Sequence, residues 1–167
     1  MAKILSIVAP EMFQEIEYRD SKMALEQKGH EVFMASSASN PTDKQGQAYQ
    51  ADVLLSEVRQ EDYDAIMFIG GPGSQFYYDD PTCHKLARDF FKADKPVAAI
   101  CAAPVILGQA GLLKGVKSTC WSGESRALLK VGAVYTGKHV EKDGQIITGD
   151  GPGSAYDFGI AIAEAFS

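Results

Sequence analysis

The strongest indication of the fold lies in the segment Pro96-Val97-Ala98-Ala99-Ile100-Cys101-Ala102-Ala103-Pro104-Val105-Ile106-Leu107. Its first half is a short apolar run that predicts a buried strand, and its second half predicts a helix with Pro104 in the first turn. Cys101 then occupies a sharp turn, where small neighbours permit a nucleophile elbow and the helix dipole favours a thiolate. The alternative is a small buried side chain, because free cysteine is among the most buried residue types.

The composition indicates a folded domain with a net negative charge. The chain has 167 residues, of which 46% are hydrophobic, and we expect a single domain over residues 1–167. A net charge of −6 without a basic run is not typical of proteins that bind nucleic acid or anionic membranes. No apolar run reaches the ~18 residues that a membrane-spanning helix requires.

The N-terminal segment and the cysteines both favour a cytoplasmic location. Residues 1–9 are briefly apolar and charged residues follow, so we interpret them as a first strand and not as a signal peptide. The chain has three cysteines, Cys83, Cys101 and Cys120, and no CxxC pair. This odd number argues against a disulfide framework and fits a reducing compartment.

Short strands alternate with helices along the chain. The pattern predicts strands at residues 4–9, 31–36, 53–58, 65–69, 96–100 and 116–119, and helices at residues 13–28, 81–92, 103–110, 122–130 and 153–166. Gly29 is expected to end the first helix, and Asp79 or Asp80 to cap the second. The turn Lys142-Asp143-Gly144 predicts a hairpin between strands at 134–140 and 145–148, and the polar residues 37–51 predict a loop or an edge hairpin.

This alternation is typical of an α/β fold with a mostly parallel sheet and helices on both faces. Ligands bind such sheets beyond the carboxyl ends of the strands. We therefore expect the loops at residues 10–17, 70–75 and 101–104 to converge at that edge.

Two of these loops carry further candidates. Gly70-Gly71-Pro72-Gly73-Ser74 either directs N–H groups at an anion or oxyanion or is simply a tight turn. Acidic residues at the start of a helix, such as Glu11 and Glu15, ordinarily complement the helix dipole.

Glu17 lies deeper in the helix. A carboxyl group buried beside a thiolate has a raised pKa and, when protonated, donates a hydrogen bond to sulfur.

The remaining reactive and aromatic residues favour structural interpretations. Cys120-Trp121 is either a second thiol near the site or, preferably, core. Cys83 and His84 are adjacent on a helix, so their side chains diverge and we interpret them as structural or surface residues. No residues have the spacing of metal ligands, and His30 and His139 do not fit the role of a general base.

Two aromatic and glycine-rich segments complete the candidates. Phe76-Tyr77-Tyr78 is interpreted as core with one exposed tyrosine. Gly149-Asp150-Gly151-Pro152-Gly153-Ser154 predicts a turn from strand to helix, and a phosphate site is the alternative.

Taken together, these motifs resemble the ThiJ/PfpI family, the group of the Parkinson-disease protein deglycase and the archaeal PfpI intracellular proteases. The resemblance runs nearly from end to end, and the order and spacing of its pieces are specific. The matching pieces are residues 3–9, 13–17, 28–32, Gly70-Gly71-Pro72-Gly73, Ala98-Ala99-Ile100-Cys101-Ala102-Ala103-Pro104, residues 110–115 and 151–158.

The resemblance implies a flavodoxin-like three-layer sandwich, similar to class I glutamine amidotransferases, and a homodimer or larger oligomer. It implies Cys101 as the elbow nucleophile and Glu17 as the carboxyl group that touches its sulfur. The N–H groups of Gly71 and Ala102 would form the oxyanion hole. Gly70, Cys120 and Trp121 are accessory candidates, and no metal or organic cofactor is expected.

Three positions depart from the family pattern. Ala102 replaces a histidine of the protease-like branch, and Ser118-Thr119-Cys120-Trp121 lacks the histidine of the deglycase branch. The first departure argues against a Cys–His peptidase, since that mechanism requires a base beside the nucleophile. Asp150 replaces an arginine, which disfavours anion binding at that turn.

We expect a glyoxalase-like or deglycase-like enzyme of stress protection, in which Cys101 attacks a small aldehyde such as methylglyoxal or a glycated substrate. One alternative is a redox sensor or stress chaperone that works through oxidation of Cys101, with Cys120 as the resolving thiol. The other is a cysteine peptidase or amidotransferase-like hydrolase, which requires a base from a partner subunit.

Overall fold

Nine strands form two sheets in the computed structural model, which describes residues 1–167. The strands are β1 Lys3–Ile7, β2 Glu31–Ser36, β3 Val53–Leu54, β4 Ala65–Phe68, β5 Val97–Ile100, β6 Lys117–Ser118, β7 Val134–Tyr135, β8 Val140–Asp143 and β9 Ile146–Gly149. The main sheet has the order β3-β2-β1-β4-β5-β9-β8, and only the pair β8–β9 is antiparallel. The predicted mostly parallel sheet is confirmed.

Five helices cover the sheet. They are α1 Glu15–Gln27, α2 Pro81–Lys92, α3 Pro104–Gln109, α4 Ser125–Lys130 and α5 Ala155–Glu164. The helix α1 packs against α5, whereas α2 packs against α3, which in turn contacts α4. The crossovers through α1 and α2 run in opposite directions along the sheet, so right-handed connections place these helices on opposite faces. The result is the predicted three-layer sandwich.

The sheet order reverses between β1 and β4, and this reversal opens a crevice at their carboxyl ends. Every residue of β4 and β5 is buried. These strands belong to a continuous core cluster of 41 buried residues. The crevice is therefore bordered by strands whose side chains pack in the core. None of the helices is long and apolar enough to cross a lipid bilayer.

Local signals fix the helix ends near the positions predicted. Gly29 has φ of +86°, and the N–H of His30 donates to the carbonyl of Leu25 at 3.1 Å as α1 ends. Asp80, and not Asp79, caps α2, because its side chain accepts a hydrogen bond from the N–H of Thr82 at 3.3 Å. Gln14 caps α1, so that helix begins two residues later than predicted.

The strand predictions fail mainly at the sheet edges. Residues 53–58 form only the two-residue strand β3, because a 3-10 turn follows at Leu55–Glu57. The predicted strand 134–140 is two separate elements: β7 pairs with β6 in a small parallel sheet, and β8 forms the hairpin with β9. Residues 37–51 are a loop in which Thr42 and Ala48 form one isolated antiparallel bridge.

Candidate active site

Cys101 follows β5 directly and has φ of +64°, which is unusual for a residue with a side chain. Its N–H donates to the carbonyl of Gly149 at 2.9 Å, and its carbonyl accepts from the N–H of Trp121 at 2.8 Å. Two backbone hydrogen bonds from different segments therefore hold the strained conformation. The predicted sharp turn from strand to helix is confirmed, with α3 beginning at Pro104.

Glu17 is fully buried on the first turn of α1. One of its carboxylate oxygens, Oε1, accepts a hydrogen bond from the N–H of Gly70 at 2.9 Å. The other oxygen, Oε2, is also buried and has no hydrogen-bond partner. A buried carboxylate oxygen without a donor is costly, and such groups concentrate at functional sites.

Gly70 lies between the carboxyl group and the thiol. A Cβ atom on Gly70 would lie 2.5 Å from Cβ of Cys101 and 2.7 Å from Oε1 of Glu17, distances that no real side chain permits. Glu17 and Cys101 therefore approach each other across a position that only glycine fills.

The three loops predicted to converge do meet at this edge of the sheet. The N–H of Gln14 donates to the carbonyl of Gly70 at 2.9 Å, and the N–H of Gly73 donates to the carbonyl of Met12 at 3.0 Å. Gly71 has φ of +106°, and a Cβ atom there would lie 2.6 Å from the N atom of Gln14. The turn requires glycine because the backbone of the loop after β1 lies too close to leave room for side chains.

Glu17 and Cys101 form a coupled pair. Burial raises the pKa of Glu17 to about 7, against the opposing effects of Cys101, the Gly70 N–H and the charge of Lys44. Burial, followed by the nearby charge of Glu17, raises the pKa of the Cys101 thiol to about 12. Glu17 therefore loses its proton near pH 7, whereas the Cys101 thiol keeps its proton until much higher pH.

The N–H groups of Gly71 and Ala102 act on the sulfur of Cys101. Both lower the pKa of the thiol and so stabilise negative charge at that atom. The sequence predicts that N–H groups and the helix dipole favour a thiolate; the N–H groups do act in that direction, but burial and Glu17 outweigh them and the pKa of the thiol is raised. Ionised Glu17 is the group placed to take the thiol proton.

A cleft of about 410 Å³ leads to the thiol. Its walls come from the loops after β1, β4, β5, β6 and β9 and from the loop before β3, and its lining residues are Gln14, Lys44, Gly71, Pro72, Gln75, Tyr78, Cys101, Ala102, Trp121, Glu124 and Pro152. A larger depression of about 660 Å³ along α1 has no cysteine or histidine in its lining. The smaller cleft is therefore the candidate site.

Several cleft residues were not predicted from the sequence. Lys44 makes no ion pair, and its charge acts on Glu17 from the loop before β3. On another wall the hydroxyl of Tyr78 donates to Oε2 of Glu124 at 2.7 Å. Gln14 and Gln75 add neutral polar groups. A lysine in a polar loop has no distinguishing local signal, because its position depends on the fold of distant segments.

The predictions for the aromatic segments are partly wrong. Cys120 is buried as expected, but Trp121 is 52% exposed and lines the cleft. Its ring lies against Gly123, where a Cβ atom would come within 2.5–2.7 Å of it. Phe76 is 55% exposed instead of core, whereas Tyr77 is buried and Tyr78 is a cleft residue. The average burial of a residue type does not predict which aromatic side chains line a cleft and are therefore exposed.

None of the three histidines lines the cleft. Nε2 of His84 lies 2.7 Å from the carbonyl oxygen of Tyr78, and Nδ1 of His30 accepts from the N–H of Ala2 at 3.0 Å. His139 is largely exposed and pairs with Asp150 at 2.9 Å. A Cys–His dyad is therefore absent within one copy of the chain. No group of three acidic, cysteine or histidine residues is placed to hold a metal ion.

The second Gly-Pro-Gly turn, at residues 151–153, is a chain reversal. Asp150 accepts a hydrogen bond from the hydroxyl of Ser154 at 2.6 Å through Oδ1 and pairs with His139 through Oδ2. The carboxylate thus occupies the space before α5, which disfavours the phosphate site considered from the sequence.

The DJ-1/PfpI family model matches residues 2–165, nearly the whole chain, including the elbow, Glu17 and both glycine turns. The chain belongs to the DJ-1/PfpI family. The resemblance stated from the sequence is confirmed, since ThiJ/PfpI is the same group.

This DJ-1/PfpI chain is similar over most of its length to several known proteins. Deglycase PfpI of Pyrococcus furiosus is 33% identical, over 92% of this chain and 93% of the relative. Glutathione-independent glyoxalase DJR-1.2 of Caenorhabditis elegans is 29% identical, over 96% and 86% respectively. The crystal structure of a ThiJ/PfpI domain protein from Brachyspira murdochii has a TM-score of 0.95 and 31% identity, covering 98% of this chain and 95% of that one.

Proposed function

We propose that this DJ-1/PfpI protein is a cofactor-independent enzyme of stress protection that acts on small reactive carbonyl compounds of the methylglyoxal type. The observation that supports this proposal is the buried Glu17, anchored by Gly70 and coupled to Cys101 at a strained elbow. The names of two similar proteins, a deglycase and a glutathione-independent glyoxalase, agree with carbonyl substrates.

The first step is addition of sulfur to the aldehyde carbon. Glu17 takes the thiol proton as the S–C bond forms, and the electron pair of the C=O bond moves to oxygen. The N–H groups of Gly71 and Ala102 stabilise the oxyanion, because they already stabilise charge on the neighbouring sulfur. Glu17 then protonates the oxygen, and the product is a hemithioacetal.

The second step moves a proton between carbon atoms. Glu17 removes the proton from the hemithioacetal carbon and returns it to the adjacent carbonyl carbon through an enediol, which gives a thioester. Water then hydrolyses the thioester to a hydroxy acid and regenerates the Cys101 thiol. For an amine glycated as a hemiaminal, the sulfur of Cys101 displaces the amine from the hemiaminal carbon, the amine leaves with the thiol proton passed on by Glu17, and the same hemithioacetal results. No oxidant or reductant is needed, since the two carbon centres exchange oxidation states.

The cleft has the size and polarity for a small polar substrate. Its volume of about 410 Å³ lies within the usual range for small-molecule sites. Lys44 on one wall and Glu124 on another supply opposite charges, and Trp121 supplies an aromatic surface. These side chains orient the carbonyl group over the sulfur.

The experiment is consumption of methylglyoxal, with formation of the hydroxy acid measured in the same assay. Cys101→Ala is expected to abolish turnover, and Glu17→Gln to reduce kcat by roughly 10²-fold or more because proton transfer is lost. Cys83→Ala is the matched control, since Cys83 is buried on α2 and is expected to leave turnover unchanged. Full activity in Cys101→Ala would refute the proposal.

The oligomeric state and cellular location are proposed on the family resemblance. We propose a homodimer in the cytoplasm, consistent with three free cysteines. Light scattering at several protein concentrations tests the dimer. A monomer at all concentrations would contradict it.

A further inference from the structure

Hydrolysis of the thioester, the last step of the proposed reaction, needs a base that activates water. None of the histidines lines the cleft, and the ionisable side chains that do are Lys44, Tyr78, Cys101 and Glu124. Cys101 carries the acyl group at this step, and a lysine is ordinarily cationic at neutral pH. Burial and the hydrogen bond to Glu124 raise the pKa of Tyr78, so its hydroxyl stays protonated. Glu124 is therefore the proton acceptor on the cleft wall.

Glu17 is not placed to activate that water. Its side chain is fully buried and does not line the cleft, and its Oε1 accepts from the N–H of Gly70. From this position it exchanges protons with the Cys101 sulfur and with the substrate atoms bound to it. Water reaches the thioester from the cleft side, where the second carboxylate lies.

Backbone hydrogen bonds fix Glu124 relative to the nucleophile. Glu124 ends a 3-10 turn at Ser122–Glu124 that follows β6. The N–H of Trp121 donates to the carbonyl of Cys101 at 2.8 Å, and the N–H of Glu124 donates to the carbonyl of Trp121 at 2.8 Å. Two consecutive hydrogen bonds thus connect the elbow to the residue that carries the carboxylate.

The hydroxyl of Tyr78 fixes the direction of the Glu124 side chain. It donates to Oε2 of Glu124 at 2.7 Å, and the carbonyl oxygen of Tyr78 lies 2.7 Å from Nε2 of His84 on α2. Negative charge on Glu124 and on Cys101 both raise the pKa of Tyr78, so the tyrosine hydroxyl lies within electrostatic reach of both groups. Oε2 is occupied by this contact, and Oε1 remains to bind a water molecule.

We infer that Glu124, positioned by Tyr78, is the general base for hydrolysis of the Cys101 thioester, an assignment that rests on the proposed function. Glu124 takes a proton from water as the water oxygen bonds to the thioester carbon and the C=O electron pair moves to oxygen. The N–H groups of Gly71 and Ala102 stabilise this oxyanion. When the C=O bond re-forms, the C–S bond breaks, and the proton on Glu124 passes to the sulfur. The hydroxy acid leaves, and the thiol and the carboxylate are restored.

Two carboxyl groups thus divide the proton transfers of one reaction. Glu17 serves formation of the thioester from the buried side of the sulfur, and Glu124 serves its hydrolysis from the cleft side. Loss of Glu124 is therefore expected to stop the reaction after the thioester has formed, whereas loss of Glu17 stops it before.

The test is to trap the thioester during methylglyoxal turnover. The reaction is quenched in acid, free methylglyoxal is removed, and the denatured protein is treated with hydroxylamine, which converts a thioester to a hydroxamate but a hemithioacetal does not react in this way. In Glu124→Gln, kcat is expected to fall by roughly 10²-fold, with a stoichiometric burst of hydroxamate from the first turnover. Glu17→Gln is expected to yield no hydroxamate.

A second variant and two controls keep the test independent of folding. Tyr78→Phe removes only the hydroxyl and is expected to lower kcat less than Glu124→Gln does, with KM unchanged. Glu57→Gln is the matched control, because Glu57 also ends a 3-10 turn but is exposed outside the cleft, and wild-type turnover is expected. Alkylation of Cys101 in Glu124→Gln is expected to follow the wild-type pH profile, since Glu17 is unchanged.

The outcomes separate this inference from the proposed function. Wild-type kcat in Glu124→Gln, or a lower kcat without trapped thioester, overturns the role of Glu124 and leaves the carbonyl chemistry in place. A wild-type protein that neither consumes methylglyoxal nor yields hydroxamate in any variant overturns both.

Discussion

The two Gly-Pro-Gly turns look alike in sequence but differ in the space around them. In the turn after β4, a Cβ atom on Gly70 or Gly71 would lie 2.5–2.7 Å from neighbouring atoms of the site. In the turn after β9, a Cβ atom on Gly151 or Gly153 would meet nothing within 4 Å. The first turn is built into the Glu17–Cys101 pair, and the second only reverses the chain.

This difference shows that the role of a Gly-Pro-Gly turn depends on the residues that pack against it and not on the motif alone. The first turn receives the loop that precedes α1, and its N–H groups act on Glu17 and Cys101. The second turn is preceded by Asp150, whose carboxylate is already satisfied by Ser154 and His139. Substitutions in each turn therefore test whether the first turn supports the Glu17–Cys101 pair and the second turn only reverses the chain.

The largest effect is expected for Gly71→Ala. The change places a side chain at φ of +106° and 2.6 Å from the N atom of Gln14, so the turn must move. We expect a loss of about 2–3 kcal/mol in the free energy of unfolding and near-complete loss of methylglyoxal turnover. Urea unfolding and the turnover assay measure both. The matched control is Gly153→Ala, and equal losses in both variants would break the comparison.

The next effect concerns the pH dependence of stability. Glu17 has a pKa of about 7 in the folded protein and an ordinary value of 4.5, so the folded state binds more protons between these values. Stability attributable to this group is therefore present below pH 4.5 and is lost as pH rises to 7, by on the order of 3 kcal/mol.

Glu17→Gln is expected to remove this loss and to be more stable than wild type above pH 7. Glutamine keeps an oxygen that accepts from Gly70. Chemical denaturation at several pH values between 5 and 8 measures the difference. If the free energy of unfolding depended on pH in the same way in both proteins, burial of the ionised Glu17 carboxylate would not destabilise the fold, and the prediction would be wrong.

A third prediction concerns thiol reactivity. Alkylation of Cys101 is expected to rise as the pH passes through about 7, because ionised Glu17 then acts as a base that takes the thiol proton. In Glu17→Gln the midpoint is expected to move above the ~8.5 of an ordinary thiol, since burial remains and the carboxylate is gone. Mass spectrometry after timed alkylation gives the profile. If the substitution left the midpoint unchanged, Glu17 would not control the reactivity of the Cys101 thiol, and the prediction would be wrong.

A smaller shift is expected when Lys44 is changed. Its positive charge lowers the pKa of Glu17, so Lys44→Met is expected to raise the alkylation midpoint by a few tenths of a pH unit. Lys44→Arg, which keeps the charge, is expected to restore the wild-type midpoint. A downward shift in Lys44→Met would contradict the assignment of this lysine to the cleft.

The smallest effect is expected for Asp150→Asn in the second turn. Asparagine keeps an oxygen for the Ser154 hydroxyl and loses only the charge that faces the largely exposed His139. We expect a change in stability below about 1 kcal/mol and an unchanged alkylation profile. A large loss of Cys101 reactivity would show that the two turns are coupled.

Local signals explain which parts of the fold could be predicted. The starts of β2 and α2 are marked by local signals, since Gly29 ends the helix before β2 and the capping carboxylate of Asp80 with Pro81 begins α2. The elbow at Cys101 was visible because an apolar strand and a helix meet without an intervening loop. By contrast, the alternation at residues 134–140 fits one strand, and only distant partners divide it into β7 and β8.

The candidate site was only partly predictable for the same reason. Spacing in the sequence does not distinguish Glu17 from its acidic neighbours, whereas the fold buries it beside Gly70. Lys44 reaches the cleft because its loop is tied down by a hydrogen bond from its own N–H to the carbonyl of Phe13 at 2.9 Å and by an Asp43 turn. Residue type predicts Trp121 in the core, whereas in the structure its side chain is half exposed and lines the cleft.

The position of Cys101 has a consequence for how such proteins diverge. The thiol is set by backbone hydrogen bonds at the end of a buried strand, and any sequence change that keeps β5 and β9 in register preserves it. The walls of the cleft come from separate surface loops, whose side chains can be exchanged without disturbing that register. The position of the proposed nucleophile is thus set by the scaffold, whereas the side chains that would select a substrate lie on loops that can change independently of it.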